Sequence, residues 1–215
     1  MNGHAFAFAS LALVALPSGA LFWPDGRTLL VSDLHLGKSE RLARRGGALL
    51  PPYETRETLM RLSDDLDRTD GKSVIALGDS FDDLTAAQSL DEADQMLLTR
   101  LMAGRKWTWV MGNHDAGSHG FGGSHRAETT LGDAACRHIA THATPEISGH
   151  YHPKARLGGT ARPCFLIDAQ RIIMPAYGAY TGGLWTDAPA LTTLMAPHAL
   201  AILTGTRAIP CPMPR

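Results

Sequence analysis

Four short apolar runs in this chain end in side chains that bind metals, and this pattern constrains the fold more than any other feature. Three of the four junctions contain a glycine. Because open α/β sheets bind ligands beyond the carboxyl ends of their strands, the four groups are predicted to converge on one place. The runs and the residues that follow them are Leu29–Ser32 with Asp33-Leu34-His35, Val74–Leu77 with Gly78-Asp79, Trp107–Met111 with Gly112-Asn113-His114-Asp115, and Glu146–Ser148 with Gly149-His150-Tyr151-His152.

The spacing of the other apolar residues predicts an α/β chain. Leu59, Leu62 and Leu66 have helical spacing after Pro51-Pro52, and a second helix is predicted over Leu90–Met102. Strand–helix–strand units followed by several strands favour two sheets or one large mixed sheet. The later strands are predicted at Arg137–Thr141, Glu146–Ser148, Cys164–Asp168, Arg171–Met174 and Ala199–Leu203.

Length, charge and cysteine content limit the class of protein. A chain of 215 residues is predicted to form a single domain over residues 1–215. Its 20 basic and 21 acidic residues nearly cancel, which excludes a global basic field, so a nucleic acid must be held locally. The three scattered cysteines form no C-x-x-C metal motif and favour a reducing compartment, here predicted to be the cytoplasm.

The apolar N-terminal stretch Ala5–Leu16 resembles a signal peptide in composition, but no Lys or Arg precedes it. It is also too short to span a bilayer, and we expect no membrane partner. The stretch instead predicts a meander of three strands, Leu11–Leu16, Ala20–Trp23 and Thr28–Ser32, joined by Pro- and Gly-containing turns.

The residue types that follow the strands suit divalent metal ions. Carboxylate, imidazole and amide oxygen without thiolate favour Mn²⁺, with Fe²⁺ and Zn²⁺ as alternatives. Seven ligands are too many for one tetrahedral ion and suit two ions that share a carboxylate, which together can activate a bridging water and bind both oxygens of an in-line displacement. The candidates are Asp33, His35, Asp79, Asn113, His142, His150 and His152.

Four histidines outside the strand-end motifs are assigned next, as ligands or as solvated residues. His142 is preferred over His138 as a ligand because it lies nearer to the Gly-His-x-His motif. His119 and His125 lie in a stretch rich in Gly and Ser, from Ala116 to Ser124 and just beyond, and are predicted to be solvated.

In this order, the motifs from Asp33 to His152 resemble the signature of the calcineurin-like metallophosphoesterases. The resemblance implies a four-layer αββα sandwich of two mixed β-sheets flanked by helices, and a metal-dependent phosphoesterase. Four further segments are similar to the bacterial ligase-associated DNA damage response metallophosphoesterases. That similarity implies a DNA endonuclease or phosphodiesterase of DNA repair, with a DNA ligase and a helicase as partners. The segments are Leu34–Lys38, Leu50–Arg56, Gly78–Phe81 and Pro175–Gly183.

The resemblance also implies a role for each site residue. One ion would be held by Asp33, His35, Asp79 and His152, and the other by Asp79, Asn113, His142 and His150. His114 would stabilise the developing charge or protonate the leaving oxygen, and Asp115 would orient the His114 ring.

Two features around the motifs concern the substrate. Relatives often carry His-Asp where this chain has Asp82-Asp83, and two carboxylates there would repel an anionic substrate unless they bind Asn113 or a metal-bound water. A basic run is either a phosphate clamp beside the metals or a solvated helix face. It consists of Lys38, Arg41, Arg44 and Arg45.

The favoured function is hydrolysis of DNA phosphodiester bonds by a metal-bridging hydroxide. Two alternatives remain open. The first is a nucleotide pyrophosphatase, cyclic-nucleotide phosphodiesterase or phosphomonoesterase that acts on a small substrate. The second is a non-catalytic metal-binding partner of a ligase or helicase.

Overall fold

The computed structural model describes residues 2–47, 49–141 and 144–215, which form two mixed β-sheets flanked by helices. The first sheet has seven strands, β1 (His4–Phe8), β2 (Leu11–Ala15), β3 (Leu21–Trp23), β4 (Thr28–Val31), β5 (Ser73–Leu77), β6 (Lys106–Val110) and β7 (Ser124–Arg126). The second has eight, β8 (Thr129–Leu131), β9 (Ala134–Arg137), β10 (Glu146–Ser148), β11 (Lys154–Leu157), β12 (Thr160–Ile167), β13 (Arg171–Ile173), β14 (Leu200–Leu203) and β15 (Ile209–Pro212). The helices in these residues are α1 (Lys38–Arg44), α2 (Glu54–Thr69), α3 (Leu84–Gln88), α4 (Glu92–Met102) and α5 (Pro189–Leu194).

The first sheet follows the order of the chain from β1 to β7. Strands β1 to β4 are antiparallel, which confirms the predicted N-terminal meander and adds β1 in front of it. Strands β4 to β7 are parallel, and helices connect β4 to β5 and β5 to β6. The carboxyl ends of β4, β5 and β6 therefore lie at the same edge of the sheet.

The second sheet has the order β15-β14-β12-β13-β10-β9-β8, with β11 paired to β12. Strand β10 lies between β9 and β13 and is parallel to both. The other pairings in this sheet are antiparallel. The carboxyl ends of β9 and β10 thus share one edge, as in the first sheet.

Three apolar clusters hold the layers together, and they confirm the predicted sandwich of two sheets between helices. Between the sheets, side chains such as Leu77 and Val110 pack against Ile147 and Phe165. Helices α2 and α4 cover the outer face of the first sheet, and α5 covers the second sheet. The predicted helical face of Leu59, Leu62 and Leu66 is fully buried in the outer cluster. No helix among the described residues is long and apolar enough to cross a membrane.

One predicted strand was placed wrongly. The strand expected at Arg137–Thr141 is instead β9, which ends at Arg137. Its buried residues are Ala134 and Cys136, whose side chains alternate with the less buried Ala135 and Arg137. The strand thus begins three residues earlier than predicted, and His138 becomes the first residue beyond it.

Candidate metal centre

Five loops carry the candidate site, and each begins where a parallel strand ends. Strands β4, β5 and β6 supply three loops, and β9 and β10 of the other sheet supply two. The loops meet at one edge of the sandwich, where ligand sites of α/β sheets are expected. In chain order the side chains that they present are Asp33 and His35, Asp79, Asn113 and His114, His138, and His150 and His152.

Five of these residues have a left-handed backbone conformation, which residues other than glycine rarely adopt. The φ angles are 54° at Asp33, 46° at His35, 45° at Asp79, 70° at His150 and 46° at His152. Such a conformation costs on the order of 1–3 kcal/mol per residue and is typical of functional sites. The surrounding structure therefore holds the candidate ligands in place against a local conformational preference.

Glycine is required at two of the strand ends because another loop lies against the backbone. A Cβ atom on Gly112 would lie 2.1 Å from Asp79 Oδ1, and one on Gly149 would lie 1.7 Å from Ser32 Oγ. Both distances are far below van der Waals contact. The glycines thus allow the loops of different strands to approach closely enough for their carboxylates and imidazoles to meet.

The first group of ligand atoms, here called the Asp33 cluster, comprises Asp33, His35 and His152. Their ligand atoms lie within 4.8 Å of one another, and His152 Nε2 is 3.0 Å from Asp33 Oδ1. The Asp33 carboxylate is completely buried, and its Oδ2 accepts hydrogen bonds from Ser32 Oγ and from the His150 backbone N–H. Burial opposes the charge of Asp33, but His152, His138 and the Ser32 hydroxyl lower the pKa of the carboxyl below its ordinary value.

The second group, here called the Asp79 cluster, comprises Asp79, His138 and His150, whose ligand atoms also lie within 4.8 Å of one another. His138 Nε2 is 3.2 Å from Asp79 Oδ2, 2.9 Å from Asn113 Oδ1 and 3.2 Å from His150 Nδ1. Burial again opposes the charge of Asp79, but the His138 contact lowers the pKa of Asp79 to about 2. His138 Nδ1 lies 3.8 Å from Asp33 Oδ1, so the two clusters adjoin.

Both clusters have the polar groups that a bound cation needs. Among the described residues, His35 Nε2 is buried without a hydrogen-bond partner. His35 Nδ1 is 2.8 Å from the Asp82 carboxylate, and His138 Nδ1 is 3.0 Å from the Leu77 carbonyl oxygen, so each can donate a proton there and leave Nε2 as a lone-pair donor. This use of the second ring nitrogen is typical of metal-binding histidines. The residues present therefore fit divalent metal ions.

His114 lies between the clusters and is oriented by contacts that the sequence analysis did not predict. Its backbone N–H donates to Asp79 Oδ1 at 2.8 Å, and its ring packs edge-on against the His35 ring at 5.2 Å. Its Nδ1 faces the Asp82 carbonyl oxygen at 3.0 Å, which makes Nδ1 the donor in that contact. The role of orienting this ring thus belongs to the Asp82 backbone and not to Asp115.

Asp115 has a different task from the one expected. Its Oδ2 accepts hydrogen bonds from the backbone N–H groups of Ser80 and Phe81 at 2.7 and 3.2 Å, and its Oδ1 accepts one from Gly112 at 3.0 Å. Burial raises the pKa of this carboxyl in spite of those donors. Asp115 therefore joins the loop after β5 to the loop after β6 and fixes the backbone around Asp79.

A family model places these observations in context. The model described as calcineurin-like phosphoesterase matches residues 26–158, more than half of the chain. The chain belongs to this family. It is therefore a metal-dependent phosphoesterase, as its motifs predicted. A solved structure entitled "Crystal structure of Pseudomonas putida nuclease MPE" is 29% identical and has a TM-score of 0.75, covering 97% of this chain and 100% of that one. No curated protein matched the chain.

The departure from the family pattern at Asp82-Asp83 does not leave two free carboxylates beside the site. The Asp82 carboxylate contacts His35 and forms an ion pair with Arg41. Burial opposes its charge, but these two partners lower the pKa of Asp82 to about 2. The Asp83 side chain caps α3 by accepting a hydrogen bond from the Ala86 N–H. Both carboxylates thus have partners other than the expected Asn113 or metal-bound water.

The structure brings His138 into the site, and the sequence analysis had passed over it in favour of His142. His142 lies outside the described residues, so its assignment as a ligand stays a prediction. His138 is buried, and its ring follows β9 just as Asp79 follows β5. The signal that could have found it is the strand-end rule itself, applied to a strand that ends at Arg137. His119, predicted to be solvated, is also buried.

Proposed function

We propose that this phosphoesterase cleaves DNA phosphodiester bonds with two divalent metal ions, preferably Mn²⁺, bound in the Asp33 and Asp79 clusters. The observation that carries the proposal is that two three-ligand groups adjoin through His138, with Asp79 and Asp33 on either side of its ring. The printed description of the Pseudomonas putida structure as a nuclease supports nucleic acid as the substrate class.

The two ions would be held by different loops. Asp33, His35 and His152 would bind one ion, and His138, His150 and Asn113 would bind the other, with Asp79 shared between them. The mixture of carboxylate, imidazole and amide oxygen supports Mn²⁺ over a thiophilic metal. When bound, such a pair of ions supplies positive charge for a phosphate and makes hydroxide available at neutral pH.

His114 would contribute the proton chemistry of the chain itself. Its Nδ1 is engaged by the Asp82 carbonyl oxygen, so a second proton would sit on Nε2. In the charged form, Nε2–H stabilises negative charge on the phosphate or donates its proton to the leaving oxygen. The exposed position of His114 beside both clusters supports this role over a structural one.

We also infer a cytoplasmic role in DNA repair beside a DNA ligase and a helicase. The support is the similarity of the segments around Leu34–Lys38 and Pro175–Gly183 to the ligase-associated group, together with the three free cysteines. Co-purification of the tagged full chain with a ligase or helicase would support this part of the proposal. A preparation that hydrolyses phosphodiesters but has neither partner would argue against it.

The main experiment measures two substrates in parallel. The protein purified with Mn²⁺ is assayed on bis-p-nitrophenyl phosphate and on labelled single-stranded DNA, with Asp79→Asn as the blank. We expect cleavage of both substrates and near-complete loss of both in the variant. Hydrolysis of the small diester with intact DNA would retain the phosphoesterase and reject DNA as the substrate. Near-normal activity of Asp79→Asn would reject the shared-carboxylate role.

A further inference from the structure

The arginines of the basic run on α1 form ion pairs with carboxylates, so their charge is less available to bind a phosphate. Arg41 pairs with Asp82, which is itself almost fully buried. Arg44 and Arg45 both reach Asp83, at 2.9 and 3.3 Å. Arg44 also pairs with Glu40 at 2.9 Å. Lys38 is half-buried at the start of the helix. These contacts favour the interpretation of this run as a structural helix face.

A second basic region lies beside the metal-ligand candidate His152. A depression of about 140 Å³ is lined by His152, Lys154 and Thr181 among other residues. Lys154 and Arg156 lie two residues apart on β11, so their side chains share one face of the sheet, whereas Arg162 lies opposite Ala155 and projects from the other face. Because His152 belongs to the Asp33 cluster, this depression opens directly next to the candidate reaction site.

In the part of the chain that the structure describes, the cations of this second region lack carboxylate partners of the kind that pair with the arginines of α1. Within residues 2–47, 49–141 and 144–215, Lys154, Arg156 and Arg162 form no ion pair within 4.0 Å. The carboxylate of Asp187 lines the adjoining depression with Arg156 but does not pair with it at that distance. The positive charge beside His152 is therefore available to an anionic ligand.

Trp185 orders the two cations of β11. Lys154 Nζ and Arg156 Cζ each lie 4.6 Å from the centre of the Trp185 ring. The backbone of the Trp185 segment is fixed beside β11, since the Thr186 N–H donates to the Lys154 carbonyl oxygen at 3.1 Å. Cation–π contacts hold the charged groups near the ring without neutralising them. Such preordered cations lose less side-chain freedom when they bind a phosphate.

We propose that Lys154 and Arg156 bind two successive backbone phosphates beyond the scissile one, so that a nucleic-acid strand leaves the metal centre past His152 and along β11, with Trp185 as the positioning residue for both cations. This inference rests on the proposed function, because it assigns a strand-binding site to a nucleic-acid hydrolase. The ligand class is a polyanionic phosphodiester strand.

The test measures binding of a fluorescein-labelled single-stranded oligonucleotide by anisotropy over a series of salt concentrations, with EDTA present so that no strand is cut. Each phosphate contact contributes about 0.7 to the slope of log affinity against log salt for a single strand. We expect Lys154→Gln/Arg156→Gln to reduce the magnitude of this slope by about 1.4. Arg156→Gln alone, which leaves the Trp185 contact with Lys154 intact, should reduce it by about 0.7.

Two controls separate this site from a general loss of charge. Arg100→Gln/Lys106→Gln removes the same charge from the end of α4 and the start of β6, and should leave the slope of the parent. Lys154→Arg/Arg156→Lys keeps both charges and should retain most of the affinity. A parent-like slope in Lys154→Gln/Arg156→Gln would overturn the inference, as would an equal loss in Arg100→Gln/Lys106→Gln. A larger decrease of the slope in Arg44→Gln/Arg45→Gln would mean that the oligonucleotide binds along α1, and would also overturn the inference.

The same series distinguishes this inference from the proposed function. A parent protein that hydrolyses bis-p-nitrophenyl phosphate but binds no oligonucleotide would overturn both. A parent that binds and cleaves the oligonucleotide, with unchanged binding in the double variant, would overturn the site beside His152 alone. Trp185→Leu should weaken oligonucleotide binding, and Trp185→Phe, which retains an aromatic face for Lys154, should restore most of it.

Discussion

The Asp33 cluster takes its three side chains from two loops, whereas the Asp79 cluster takes its three from three loops. Asp33 and His35 follow β4, and His152 follows β10. Asp79, His138 and His150 follow β5, β9 and β10 in turn. The first cluster can therefore form once two strand ends meet. The second depends on three strand ends from both sheets having the correct positions at the same time.

The contacts that hold the ligands in place also come from more distant parts of the chain in the Asp79 cluster than in the Asp33 cluster. The Asp33 carboxylate is held by its neighbour Ser32 and by one backbone N–H from another loop. The loop of Asp79 is held to the loop after β6 by Asp115, through the N–H groups of Ser80, Phe81 and Gly112. Long-range contacts of this kind leave little trace in a local motif. The comparison therefore predicts that perturbations beyond the ligands affect the Asp79 cluster more.

The largest effect is expected at His114, whose backbone N–H donates to Asp79 and whose ring packs against the ring of His35. His114→Ala should lower kcat on bis-p-nitrophenyl phosphate about 10²–10⁴-fold, the usual contribution of a general acid. The bound Mn²⁺ should be unchanged, because the His114 contact to Asp79 is made by its backbone N–H. Turnover and metal content measured on the same preparation check this prediction.

His198→Ala is the matched control, since His198 is an exposed histidine after α5. It should retain both turnover and metal. If His114→Ala loses one equivalent of metal, the residue is a ligand that completes the group formed by His35, Asp82 and His114, whose ligand atoms also lie within 4.8 Å of one another.

The next effect in size tests which histidine completes the Asp79 cluster. His138→Ala should weaken Mn²⁺ binding by at least the 10–100-fold that even outer-shell partners of metal ligands contribute. The reason is that His138 Nε2 lies within 3.2 Å of groups from three other residues of the site. Isothermal titration with Mn²⁺ should show one weakened site and one that retains the parent affinity.

His142→Ala is the informative partner of that variant. The contacts of His138 lead us to expect the smaller loss in His142→Ala. If His142→Ala loses as much Mn²⁺ affinity as His138→Ala or more, His142 is the ligand, as its nearness to Gly149-His150 predicted. Weakening of both sites by His138→Ala would mean that the two clusters do not act as separate binding units.

Most of the fold could be predicted because it follows from local patterns. The apolar runs of β4, β5 and β6 are buried on both faces, as parallel strands in the middle of a sandwich must be. The errors came where the pattern is short. Strand β9 has only four residues, and its alternation of Ala134 and Cys136 with Ala135 and Arg137 is weak in apolar character. Short strands such as β7 and β11 were not predicted at all.

The candidate site could be predicted as far as it is written in short motifs. Asp33-x-His35 and His150-x-His152 each place two candidate ligands on one loop, and the structure brings both motifs into the clusters. His138 has no such neighbour, and a shift of three residues in one strand was enough to hide it. The tasks of Asp82 and Asp115 depend on contacts between distant loops, which no sequence spacing specifies.

The smallest expected effect concerns a support that only the Asp79 cluster has. His119 is buried against Phe81, which follows Asp79 by two residues, and against Trp109 of β6, with ring centroids 4.5 and 4.6 Å away. Burial, together with the nearby His125, lowers the pKa of His119 to about 4. The part of the sandwich beneath the Asp79 and Asn113 loops is therefore packed around an uncharged imidazole.

This packing predicts a pH-dependent stability. The unfolded chain has an ordinary histidine pKa near 6.5 and takes up the proton first as the pH falls, so the free energy of unfolding should decrease between about pH 6.5 and pH 4. The share of His119 in that decrease is about 3 kcal/mol. Urea unfolding of the metal-free protein across this range should show the decrease, and His119→Phe should reduce it while His198→Phe leaves it unchanged. An equal decrease in His119→Phe would mean that His119 does not stabilise the Asp79 side of the site by remaining neutral.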